Sequence, residues 1–108
     1  MSATLAKPAE AEAIGRGWYA YRRVIRAEWP EGRGKDIAAA IEGVTDALET
    51  YADLLADTTH PAAVYPELEH EDDAYDKALT MTAQDAADWA AELDRLVPEE
   101  ADEGEKAA

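Results

Sequence analysis

The chain has 108 residues, no cysteine, and 25 acidic against 10 basic side chains, for a formal net charge of −15. That length fits one domain with one core, and the absence of cysteine excludes disulfides, thiolate nucleophiles and cysteine-ligated zinc or iron–sulfur centres. Alanine, glutamate, aspartate and leucine dominate while phenylalanine is absent, a composition that favours helix over sheet. The expected fold is all-α: a compact three- or four-helix bundle at 9–97, between a flexible leader at 1–8 and a disordered acidic tail at 98–108. No run of about 18 apolar residues exists, and the N-terminus lacks the charged start and apolar stretch of a signal peptide. The expectation is therefore a cytoplasmic protein with no membrane partner.

In chain order, Ile14, Trp18, Tyr21, Ile25 and Trp29 recur at steps of four, three, four and four, the stripe of an amphipathic helix. They are the expected core of helix one, which starts after Pro8 or, because glycine weakens a helix interior, only at Gly17. Trp29-Pro30 and Glu31-Gly32-Arg33-Gly34 end it. Helix two is expected at 35–57, with Ile37, Ile41, Val44, Leu48, Tyr51 and Leu55 as its seam. Opposite that seam, Glu42, Asp46, Glu49 and Asp53 fall within about 60° of one another at 100° per residue, with Asp57 at the edge. A threonine before His60-Pro61 is available to cap a short new helix, which Pro66 cuts off. A short third helix is expected at 72–79. A fourth at 83–97 has Thr82 as its cap and Ala86, Trp89, Ala90, Leu93, Leu96 and Val97 on its core face.

Charge is distributed unevenly. Residues 1–35 hold Lys7, Arg16, Arg22, Arg23, Arg26, Arg33 and Lys35 against Glu10, Glu12, Glu28 and Glu31, a net of +3, so the remainder carries −18. Between Asp36 and Asp76 there is no lysine or arginine, so this stretch cannot neutralise itself through pairs one helical turn apart. Arginines interleaved with aromatics in helix one have the composition of a nucleic-acid surface, but the acidic remainder would repel a phosphate backbone. Direct nucleic-acid binding is not expected. The anionic face suits the converse role, imitation of nucleic acid towards a basic protein, because its carboxylates are spaced along the axis much like successive phosphates. The expected contacts with that partner are Glu42, Asp46, Glu49, Asp53, Asp57, Glu67, Glu69, Glu71, Asp72 and Asp73. Glu67-Leu68-Glu69-His70 and Asp57-Thr58-Thr59-His60 have a carboxylate-x-x-histidine spacing that serves metals inside helical bundles. Two exposed histidines among acids is the simpler reading, and neither a metal nor a cofactor is assigned.

Two resemblances follow from the acidic residues and the turns. Glu67 and Glu71, with Asp85-Ala86-Ala87-Asp88, resemble the magnesium-holding motifs of the MazG-type nucleotide pyrophosphohydrolases, all-α enzymes, although Leu68 stands where that family's second glutamate would be. The resemblance implies Glu67, Glu71, Asp85 and Asp88 converging on magnesium, with Lys77 near the phosphates. Trp29-Pro30-Glu31-Gly32 is similar to the Trp-x-Gly turn of the small secreted helical hairpins but one residue longer. The loose export signal of those hairpins, matched by Tyr65 to Glu69, lies here in mid-chain. The sequence thus points to a small acidic binding protein that engages a basic macromolecule, with imitation of nucleic acid to inhibit a DNA- or RNA-binding protein as its expected use. The magnesium-dependent hydrolase and a homodimeric helical adaptor joined through its tryptophans are the alternatives.

Overall fold

A computed structural model describes residues 8–98. The described residues are mostly helical, with four helices and no strand: α1 (Pro8–Arg26), α2 (Gly34–Leu55), the single-turn α3 (Pro61–Val64) and α4 (Ala74–Leu96), with a 3₁₀ turn at Pro66–Leu68. The leader before Pro8 and the tail after Pro98 lie outside the described residues. Both α1 and α2 pack along α4, and they touch each other much less.

The α2 seam matches expectation at Ile37, Val44, Leu48 and Tyr51, but is centred one step towards Ala40, Ala47 and Leu54 and away from Ile41 and Leu55. Ile37, Ala40, Val44, Ala47, Leu48, Tyr51 and Leu54 are buried, with Ile41 and Leu55 half-buried beside them. The helix ends at Leu55 rather than Asp57, in a turn closed by Asp57 N–H donating to Leu54 O (3.1 Å) and Thr58 N–H to Asp53 O (3.0 Å). Asp57 holds a left-handed φ of 61° there, the conformation that usually selects glycine at this position.

Helix α1 corrects the sequence reading. It runs through Gly15 and Gly17 without a break, and its buried face is Glu10, Gly17, Ala20 and Val24. The large residues expected in the core lie to one side: Trp18, Ile25 and Trp29 are 46%, 49% and 40% exposed, with Ile14 and Tyr21 half-buried. The reason is close approach. A Cβ on Gly17 would stand 3.4 Å from Ala86 Cβ, Leu48 Cδ2 and Val44 Cγ2, so three helices meet where only a small side chain fits.

The expected third and fourth helices are one. No glycine or proline interrupts 74–96, and Thr82, expected to cap a new helix, sits buried inside α4 with its Oγ1 donating to Ala78 O at 2.7 Å. A threonine can close such a bond within its own helix, so its capping propensity did not create a boundary. The cap before α3 is also different: His60 Nδ1, not a threonine, accepts from Ala62 N–H at 3.0 Å, with Pro61 in the first helical position. On α4 the expected core residues Ala86, Ala90, Leu93, Leu96 and Val97 are buried, but Trp89 is 38% exposed. Its indole lies flat on Gly43 of α2, where a Cβ would come within 2.3 Å of the ring.

Candidate functional site

The surface that the sequence singles out is the outer face of α2. Glu42, Asp46, Glu49 and Asp53 are all exposed, and none of their carboxylates pairs with a described cation. They form one ridge about 16 Å long at 1.5 Å per residue. Its electrostatics oppose the helix that carries it. Like charges a turn apart each cost about 0.2–0.5 kcal/mol. Asp53 lies in the last turn, where no basic residue is present and where the helix dipole disfavours an anion. Asp57, beyond the helix end, extends the acidic character without continuing the row.

Two depressions flank the ridge. On one side, Trp18 and Tyr21 of α1 and Thr45, Leu48, Glu49 and Ala52 of α2 line a groove of about 380 Å³. The two rings meet edge to face at 6.2 Å. On the other side, Asp46 and Gly43 share a hollow of about 290 Å³ with Tyr65, Thr82, Asp85 and Trp89. There the Tyr65 hydroxyl bonds both Thr82 Oγ1 (3.0 Å) and Asp85 Oδ2 (3.1 Å). Burial pushes the Tyr65 phenol up from its ordinary pKa, the Thr82 hydrogen bond opposes this, and the Asp85 carboxylate adds to it.

The remaining expected contacts lie between α3 and α4. Glu67, Glu69, Glu71, Asp72 and Asp73 are exposed, and Lys77 partly neutralises them by pairing with Glu71 (2.8 Å) and Asp73 (3.6 Å). The hydrogen bond to Glu71, helped by Asp73, holds the Lys77 ammonium above its ordinary pKa. The magnesium set implied by the pyrophosphohydrolase resemblance is not assembled. Asp85 is tied to Tyr65, Glu71 to Lys77, and Asp88 accepts from Gln84 Nε2 at 2.9 Å. Among the described residues no three carboxylates or histidines form a group able to hold a metal ion, and His60 Nδ1 is engaged in its cap.

The basic side of α1 is separate from the ridge. Tyr19, Arg22, Arg23, Arg26 and Ala27 line a groove of about 770 Å³ with Val97 and Pro98, and Arg23 pairs with Asp94 of α4 at 2.8 Å. Arg33 reaches the C-terminal end of α4, donating to Leu96 O at 3.2 Å.

Sequence reasoning missed a buried polar knot. Glu10, only 5% exposed, accepts from Tyr51 OH (3.1 Å) and Thr80 Oγ1 (2.9 Å), joining α1, α2 and α4. Burial, then the Glu10 hydrogen bond and charge, push the Tyr51 phenol up to about 12. The signal was present in the spacing of Glu10, Gly17 and Val24 at intervals of seven, a second helical stripe hidden behind the larger one. No family model, curated protein or solved structure matches the chain, so the functional reading rests on this geometry alone. No helix among the described residues is long and apolar enough to cross a membrane.

Proposed function

We propose that the chain is a cytoplasmic binding protein, built as a small helical bundle, whose anionic α2 ridge engages a basic macromolecule. Its best-fitting use is to occupy the cationic groove of a nucleic-acid-binding protein in place of phosphates. The observation that carries this reading is the row Glu42, Asp46, Glu49 and Asp53, exposed and without a described cation to pair with. Such a row lowers the stability of its own helix, and a face kept only for solubility would tolerate mixed charge. Ridge carboxylates would steer a basic partner and fix its register without chemistry. Glu67, Glu69 and Asp72 would add to the field at one end.

The test is capture of partners by the immobilised full chain from a lysate of its native host, eluted with salt, beside a variant carrying Glu42→Lys, Asp46→Lys, Glu49→Lys and Asp53→Lys. Recovery of a basic nucleic-acid-binding protein, released steeply by salt and absent from the variant, is the expected result. Circular dichroism checks that the variant remains folded. A folded variant that retains the same partner would show the ridge to be irrelevant.

A further inference from the structure

The stripe of α1 that sequence periodicity assigns to the core is only partly covered, with Ile14 and Tyr21 half-buried against the core. Ile14, Trp18, Tyr21 and Ile25 alternate at steps of four, three and four, the spacing of a helix that packs lengthwise against another helix. Yet Trp18 and Ile25 are 46% and 49% exposed. Large apolar residues gathered in one place mark an interaction surface, whereas scattered ones do not. Here the stripe continues into the groove that Trp18 and Tyr21 form with Thr45, Leu48 and Ala52.

The charges beside that surface identify what covers it. At 100° per residue Arg22 lies about 40° from Trp18 on the side away from α2, and Arg26 about 40° further round. Both are exposed. On the α2 side, Glu49 lies about 40° beyond Thr45 and Glu42 about 60° beyond it, also exposed. The surface therefore has an apolar floor, a basic edge on α1 and an acidic edge on α2. A helix hairpin with opposite charges on its two edges is complementary to itself. Turned about a two-fold axis parallel to the helices, a second hairpin lays its α1 over the first copy's α2, so each basic edge meets an acidic one. We infer that this face binds a second copy of the same chain, α1–α2 hairpin on α1–α2 hairpin, with Trp18 and Ile25 as anchors and the arginines of one copy paired with Glu42 and Glu49 of the other.

Turned about that axis, the second copy presents Arg22 and Arg26 to the acidic edge that Glu42 and Glu49 form. Such a closed, isologous contact is the commonest form of self-association. The net charge of −15 per chain opposes it, but at about 0.15 M salt the screening length is only about 8 Å, so the edges decide and the remote acids do not. The dimer takes up Glu42 and Glu49 and leaves Asp46, Asp53 and the Trp89 hollow free, so self-association and capture of a basic partner compete for half of the ridge. The Trp18 and Ile25 changes below leave all four carboxylates in place and therefore separate the two readings.

Sedimentation equilibrium of the full chain at physiological salt tests the inference, with circular dichroism confirming that each variant is folded. The wild type is expected to be dimeric at micromolar concentration. Trp18→Ser with Ile25→Ser should be monomeric, as should Arg22→Glu with Arg26→Glu, and Glu42→Arg with Glu49→Arg. Mixing the last two variants should restore a dimer, because each then offers the edge that the other needs. A wild type that stays monomeric overturns the inference. So does a dimer that survives the Trp18 and Ile25 changes, or edge variants that fail to recover on mixing while the wild type dimerises.

Discussion

Helices α1 and α2 have similar lengths and equally regular apolar periodicity, yet one buries its large residues and the other leaves them at the surface. In α2 the contact face is built from Ile37, Val44, Leu48 and Leu54; in α1 it is built from Gly17, Ala20, Val24 and a hydrogen-bonded glutamate. Periodicity reports that a helix has a preferred face. It does not report whether that face looks inward, because the hydrophobic gain of large residues competes with the close approach that small ones permit.

The largest expected effect follows from this contrast. Leu54→Ala, at a fully buried position, should cost about 2–5 kcal/mol. Trp18→Ser removes a larger side chain but should cost under about 1 kcal/mol in the dilute, monomeric chain. Urea unfolding of both variants decides the matter, and a Trp18 variant as unstable as the Leu54 one would return the tryptophan to the core.

Glycine sharpens the same comparison. Gly43→Ala would drive a Cβ to 2.3 Å from the Trp89 ring, so the indole must leave its seat, at a cost of about 1–3 kcal/mol. Gly15 meets nothing within 4 Å, and Gly15→Ala should instead stabilise α1 by about 1 kcal/mol through helix propensity. Thermal unfolding should move in opposite directions for the two. Tryptophan emission should shift to the red in the Gly43 variant alone.

The polar knot binds the two helices where their faces differ most. Tyr51→Phe leaves the buried Glu10 with Thr80 as its remaining hydroxyl donor and should cost about 1–2 kcal/mol near neutral pH. The phenol's pKa is raised on folding from 10.0 to about 12. Its neutral form thus contributes stability that is fully present below pH 10 and is lost as pH rises through about 12. Wild-type stability should fall across that window, and the phenylalanine variant should fall less. Equal slopes in alkaline unfolding curves would remove Tyr51 from the account.

What was legible in the sequence follows the same physics. The helical class, the α2 seam and the exposed row Glu42, Asp46, Glu49 and Asp53 were all readable, because strong amphipathicity and the absence of nearby cations leave one arrangement open. The continuity of α4 was not, because Thr82 looks like a cap, yet its hydroxyl donates to the Ala78 carbonyl within its own helix where a cap would accept from a backbone N–H. The Trp89 seat depends on Gly43, 46 residues away in the chain, and no local pattern announces such a pairing. The acidic cluster at 67–73 was visible as composition, but its partial neutralisation depends on how the turn before α4 brings Lys77 to Glu71.

The smallest effect concerns the ends of the two helices. Arg23 and Arg26 lie in the last turn of α1, where cations suit the dipole, whereas α2 ends with Asp53 and with Asp57 in a left-handed conformation. Asp57→Gly should therefore stabilise the chain by about 0.5–1 kcal/mol, since glycine adopts that conformation freely and an anion leaves the negative end of the dipole. The gain should shrink at high salt by the dipole's share alone, because the backbone share is not electrostatic. Thermal melts at low and high salt separate the two shares. A variant no more stable than the wild type would mean that the Asp57 carboxylate already offsets both costs, and the acidic end of α2 would then be structural rather than held in reserve for a partner.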